Sequence, residues 1–119
     1  MYVIKNPVDY TECPIRISLD ILSASWNVWL ISEINKGVVR PCDLHRSIGI
    51  APKRVLTKQL GELEKKGILE KKIYPVLPLK VEYYLTDKGK ELIPIIELLW
   101  NWGDKYKEEF ANLPIEKSE

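Results

Sequence analysis

Two kinds of residue in this chain are placed to do chemistry. The first is a run of cations. Between Lys36 and Lys58 stand Lys36, Arg40, Arg46, Lys53, Arg54 and Lys58, against the single acid Asp43. The 119-residue chain carries a formal net charge of only +1, so its positive charge is concentrated here. A basic stripe on a near-neutral protein is the electrostatic footprint of a polyanion binder, and of DNA in particular. The plainer alternative is a solvated helical face. The second kind is the thiol, at Cys13 and Cys42. Two cysteines at this separation make neither a disulfide framework nor a metal set. Cys13 stands just ahead of a helix opened by Pro14, where the positive end of the helix favours a thiolate, and Arg16 is close in sequence. Oxidation there, or a disulfide between subunits, would move the arms of a dimer and alter DNA affinity. The alternative for Cys13 is a small buried hydrophobe. Cys42 falls in the first turn of another helix, on its exposed side, and is the weaker sensor candidate.

Other chemistries lack their parts. The one histidine, His45, sits beside Arg46, and no Gly-rich phosphate loop, paired catalytic carboxylates or nucleophile elbow occurs. The reading is therefore of no enzyme, no metal and no cofactor. There is no apolar core of signal-peptide length, and no run near the ~18 apolar residues of a membrane span. Hydrophobic residues at 45% and charged residues at 29% are ordinary for a globular protein. A soluble, cytoplasmic protein is expected, as a single domain over residues 1–119 with no membrane partner.

The elements that must position these residues follow from periodicity. Residues 1–12 read as an irregular arm or a short helical turn. From Pro14 the pattern is helical, with Ile15, Leu19 and Leu22 on one face and Ile17 and Ile21 off it. Ser25 is placed to cap a second helix to about residue 36, with Trp26, Trp29, Leu30 and Ile34 as its main stripe and Val28 and Ile31 beside it. Gly37 closes it. Residues 38–40 allow one β-ladder rung. Pro41 starts a short helix to about residue 48, with Leu44 and Ile48 inward, and Pro52 opens the next, to residue 66. Only Gly49, Ile50 and Ala51 separate these two, a tight helix-turn-helix connection. The period then becomes two: residues 68–74 and 80–85 are strands, and Pro75 and Pro78 mark the loop between them. Lys71, Lys72 and Lys80 flank this wing. Its apolar tip, Val76 to Leu79, either touches DNA or packs on its own hairpin or on a partner. Thr86 caps a last helix from about 87 to 110, which Pro94 should kink. The tail from Leu113 is polar. Helix, helix, short strand, helix, helix, strand, wing, strand, helix is a mainly α fold with a small β-hairpin, in the winged helix-turn-helix order.

On a wheel of about 100° per residue, Leu56, Leu60 and Leu63 cluster on one side of the helix that follows the turn. Arg54, Lys58 and Lys65 fall opposite, Thr57 lies near them, and Lys53 is in the first turn. The leucines would anchor the helix and leave the opposite face free for a major groove. Arg54 is the best candidate for a base contact, because arginine pairs with guanine through two hydrogen bonds; Thr57 and Lys58 follow. Lys53, Arg46 and Arg40 suit phosphates, and Lys72 and Lys80 of the wing suit backbone or a minor groove.

The last helix is apolar nearly all round, and one domain offers only one side to bury it against. The first helix has the same surplus. Ile17, Ile21, Ile96, Leu99, Trp100 and Trp102 are expected in a two-fold interface, giving a homodimer through the N- and C-terminal helices. Two recognition helices would then lie one DNA turn, ~34 Å, apart. A winged-helix protein-interaction module without DNA binding is the alternative.

Several runs resemble the HxlR family of MarR-like winged-helix regulators: Cys13-Pro14-Ile15, Leu19-Asp20-Ile21-Leu22 and Trp26; Val55 to Leu60 with Leu63-Glu64 and Gly67-Ile68-Leu69; Tyr74-Pro75, Val81-Glu82-Tyr83, Leu85-Thr86 and Trp102-Gly103. The likeness covers roughly residues 13–103, leaving 1–12 as an arm and 104–119 as the helix end and tail. It implies a homodimeric, sequence-specific transcriptional regulator, a repressor by preference, on an inverted-repeat operator. It also implies that some members sense oxidants, electrophiles or aldehydes through the cysteine matching Cys13. Departures exist: Ser23-Ala24-Ser25 replaces the usual Gly-Gly-Lys, Gly61 replaces an arginine, and Ala51 replaces a capping serine. No inducer is specified.

Overall fold

The computed structural model describes residues 13–114. The expected arm at 1–12 and the tail from residue 115 lie outside the described residues. Cys13 is the N-cap of helix α1 (Pro14–Ser23), and Pro14 takes the first helical position, where its missing N–H costs nothing. Helix α1 buries none of its residues fully. Ile15 and Leu19, expected to face inward, are exposed, and only Ile21 and Leu22 near its end pack on the core.

Helix α2 (Asn27–Asn35) starts one residue later than Ser25 predicts. Its N-cap is Trp26, in the left-handed region at φ 66°. A bulky residue is strained there. The turn is held by Asn27, whose buried side chain donates from Nδ2 to the Ile21 carbonyl at 2.9 Å. The buried stripe is not the expected one: Leu30, Ile31 and Ile34 are buried while Trp29 stands exposed. Gly37, at φ 105°, ends the helix as expected.

The chain then enters helix α3 (Pro41–Ser47), turns through 49–51, and forms helix α4 (Lys53–Lys65). Strands β1 (Leu69–Tyr74) and β2 (Lys80–Leu85) make an antiparallel hairpin with Leu69 opposite Leu85 and Tyr74 opposite Lys80. The single rung expected from residues 38–40 is present, with Tyr83 N–H donating to the Val39 carbonyl at 2.9 Å. The hairpin tip does not pack on its own strands, since Val76, Leu77 and Leu79 are all exposed.

The expected last helix divides into α5 (Asp87–Lys90) and α6 (Leu92–Ala111). The interruption at Glu91 places Pro94 in the first turn of α6, where backbone N–H groups lack helical partners anyway. Thr86 caps α5, its Oγ1 accepting from Gly89 N–H at 3.1 Å and donating to the Gly67 carbonyl at 2.5 Å. Leu30, Leu44, Leu60, Leu63, Ile68 and Leu85 lie at the centre of one core that joins α2, α3, α4 and the hairpin. No helix among the described residues is long and apolar enough to cross a membrane.

Two glycines should respond oppositely to alanine. A Cβ at Gly89 would collide with the Ile68 carbonyl, whereas one at Gly61 meets nothing within 4 Å. Gly89→Ala should destabilise by about 1–3 kcal/mol. Gly61→Ala, inside α4, should stabilise by about 0.5–1 kcal/mol. Urea unfolding at fixed protein concentration checks both signs.

Candidate nucleic-acid interface

Helix α4 is built as a two-sided element. Leu56, Leu60 and Leu63 are 3%, 3% and 0% exposed, packed toward α2 and α3. Each buried leucine contributes about 1.5–3 kcal/mol, enough to fix the rotation of the helix about its axis. Lys53, Arg54, Thr57 and Lys58 are consequently exposed. The N-cap is Pro52 rather than Ala51. Ala51 is 3% exposed and belongs to the core, where a capping serine would have to bury its hydroxyl.

The cations divide into two classes. Lys53, Arg54 and Lys58 make no ion pair among the described residues. Several of the cations flanking them are partnered, whereas Lys65 and Lys71 make no ion pair among the described residues. Arg46 lies 3.6 Å from Asp43, Arg40 lies 4.0 Å from Glu82, and Lys80 lies 3.6 Å from Glu82. Lys80 also stands over the Tyr74 ring at 4.8 Å, and Lys72 over the Tyr84 ring at 4.9 Å. Thr57 spends its hydroxyl proton on the Lys53 carbonyl at 3.0 Å, leaving its oxygen outward as an acceptor.

Glu82 is the residue that sequence reasoning missed. Its side chain is 13% exposed, and its carboxylate gathers Arg40 from the segment before α3 and Lys80 from the wing. Tyr84 Oη donates to it at 2.6 Å. This hydrogen bond is the main reason its carboxyl is held below the ordinary value; a further bond from Tyr74 and the charges of Lys80 and Arg40 act the same way, against the opposing effect of burial. The same bond, with burial, pushes the Tyr84 phenol up to about 12. The period of two had already put Lys80, Glu82 and Tyr84 on one face of a strand; what it could not show was Arg40 arriving there.

The two cysteines differ in their surroundings. Cys13 is 6% exposed and makes no capping hydrogen bond with its side chain. That burial is what a small hydrophobe would show. Cys42 is exposed, 3.9 Å from Asp43 Oδ1.

The residues expected at a dimer interface separate. Ile17, Leu99 and Trp102 are exposed. Ile96, however, is 9% exposed and packed in its own core, and Ile21 is half-buried against it. Helix α6 explains why. At about 100° per residue, Ile95, Leu98, Leu99, Trp102, Tyr106 and Phe110 share one side, and Ile93, Ile96, Glu97 and Trp100 the other. Trp102 packs its ring near Tyr106 and Phe110, at 5.2 and 6.0 Å. Trp100, though exposed, faces α2 across a cavity and does not share the surface of Leu99 and Trp102.

Comparison with known proteins agrees with this geometry. A family model described as HxlR-like helix-turn-helix matches residues 21–111. The chain is 35% identical over 105 residues to YdeP of Bacillus subtilis (strain 168), an uncharacterized HTH-type transcriptional regulator, covering 88% of this chain and 82% of that one. Among solved structures it is similar to the redox regulator HypR in its reduced form, with a TM-score of 0.79 at 32% identity over 84% of this chain and 99% of the other. The oxidised form of HypR gives a TM-score of 0.71 at 33% identity, over 87% and 100%.

The Glu82 cluster has a testable pH signature. A carboxyl depressed in the folded state stabilises fully above its ordinary value of 4.5, and that contribution disappears as pH falls through its folded value. Glu82→Gln should therefore melt below wild type at neutral pH, with the gap narrowing below 4.5 and closing at still lower pH. Thermal melts of both proteins across that range check it.

Proposed function

The chain belongs to the HxlR-like helix-turn-helix family, and from that premise we propose that it is a homodimeric repressor that reads an inverted-repeat operator with α4. It is a DNA-binding transcriptional regulator, not an enzyme. The observation that carries the finer reading is the electrostatic split just described. The outer face of α4 presents Lys53, Arg54 and Lys58 without neutralising partners, opposite a leucine face that cannot turn outward. Three cations without partners on one exposed helical face suit a groove lined by phosphates, whose counterions they would displace. In this reading Arg54 reaches a base edge, with Thr57 and Lys58 beside it. Lys53, Arg46 and Arg40 hold phosphates, and Lys72 and Lys80 carry the wing against the backbone. The protein works in the cytoplasm.

The dimer is proposed through the exposed side of α6, centred on Leu99 and Trp102, together with Ile15, Ile17 and Leu19 of α1. Helix α6, with 20 residues, is about 30 Å long, so its apolar side is a sizeable surface to leave in water.

A redox response through Cys13 is the second part of the reading. The thiol sits where the chain enters α1, so a change at its sulfur acts on a helix assigned to the dimer. HypR, to which the chain is similar, is described as a redox regulator. Cys42, far from α1 in sequence, serves as the control.

Three experiments test these assignments. Genomic fragments selected by the purified protein should yield an operator. Arg54→Ala should cost about 1–3 kcal/mol there and relax the base preference at one position, whereas Lys53→Ala should weaken all duplexes and lower the salt slope by about 1. Equal effects on operator and random duplex from both would refute α4 as the reader. Trp102→Glu should run as a monomer in light scattering. Diamide should change operator affinity of wild type and Cys42→Ser but not of Cys13→Ser; identical behaviour of all three would end the switch.

A further inference from the structure

Helices α2 and α6 leave a cavity of about 500 Å³ between them, the size of a small-molecule site. Its lining is specific in chemistry. Trp29 and Trp100 bring two indoles that are 56% and 72% exposed. Trp29 is braced from behind by Trp26, ring to ring at 5.6 Å and edge-on. Ile93 and Ile96 supply aliphatic wall. Two carboxylates, Glu33 and Glu97, and one ammonium, Lys36, also line it. Lys36 lies 3.6 Å from Glu33, while Glu97 has no ion-pair partner among the described residues.

Two exposed indoles lining one hollow beside a carboxylate with no ion-pair partner among the described residues suit a cation with an apolar body. Indole faces attract cations through the ring quadrupole, and the attraction strengthens as water is displaced. The carboxylate adds charge pairing that an anion would find repulsive. We propose that this cavity is a binding site for organic cations with bulky apolar or aromatic bodies, held between Trp29 and Trp100 and charge-paired by Glu97. It lies on the side of α6 opposite Leu99 and Trp102, the residues assigned to the dimer. Helix α2 packs on α3 and α4, so an occupant sits where the DNA-reading half meets α6. The site does not rest on the DNA-binding reading, and its test contains no DNA.

The test uses full-length protein and tetraphenylphosphonium, followed by calorimetry at low salt, with tetraphenylborate as the anion of the same shape. Saturable binding of the cation, one per chain, is expected, at least about tenfold tighter than the anion. Glu97→Gln and Trp100→Leu should each weaken it by at least about fivefold. Glu109→Gln, the same charge change near the far end of α6 and outside the cavity lining, should leave it unchanged. Glu97→Gln is a surface change of equal volume, and a wild-type circular dichroism spectrum establishes that any loss is not unfolding. Absence of saturable binding, equal binding of anion and cation, or a smaller effect of Glu97→Gln in the folded variant would each overturn the assignment.

Discussion

The outer face of α4, the face proposed to meet DNA, depends on the burial of Leu56, Leu60 and Leu63. A helix is free to rotate about its own axis until one face is committed, and these three leucines commit it to the hydrophobic core shared with α2, α3 and the hairpin. Once they are buried, the positions about half a turn away have no choice but solvent. Lys53, Arg54, Thr57 and Lys58 are exposed for that reason and not through any interaction of their own. The core fixes the reading head by fixing its back.

Around that face several other cations are partnered. Glu82 holds Arg40 and Lys80, Asp43 holds Arg46, and Tyr84 sits under Lys72. Such exposed pairs are individually weak, so they can yield to phosphates, but they keep the resting surface from being a general polyanion trap. Glu82 does more than neutralise: it connects the segment before α3 to the wing, and thus sets where the two flanks stand relative to α4.

Helix α6 solves the opposite problem, an excess of apolar surface. Its two apolar sides have different uses. One side lays Ile96 into the subunit core and suspends Trp100 beside the cavity against α2. The other carries Leu99, Trp102 and Phe110 outward, toward the surface assigned to a second copy. A ligand on one side and a partner on the other would press on the same rod, which is how a small molecule and a dimer geometry come to share one element.

Local chemistry was enough to read the order of elements from sequence. Prolines, glycines and the change from helical to alternating periodicity mark Pro14, Gly37, Pro41, Pro52 and Gly67, and these are decided by the backbone of a few residues. The two sides of α4 were legible too, because a wheel needs only one helix. Three features were not. Asn27 reaches back to Ile21 to hold the turn between α1 and α2, and packing buries Ile31 where Trp29 was expected; both are contacts between elements. The two sides of α6 look alike in composition, and only packing against α2 distinguishes Ile96 and Trp100 from Leu99 and Trp102. Arg40 meets Glu82 across 42 positions of chain. Sequence by itself determined what each segment would become, since propensity and periodicity act within a turn or two. Tertiary structure alone decided which apolar side faces inward and which charges meet, because those choices are made by whatever segment arrives from far along the chain.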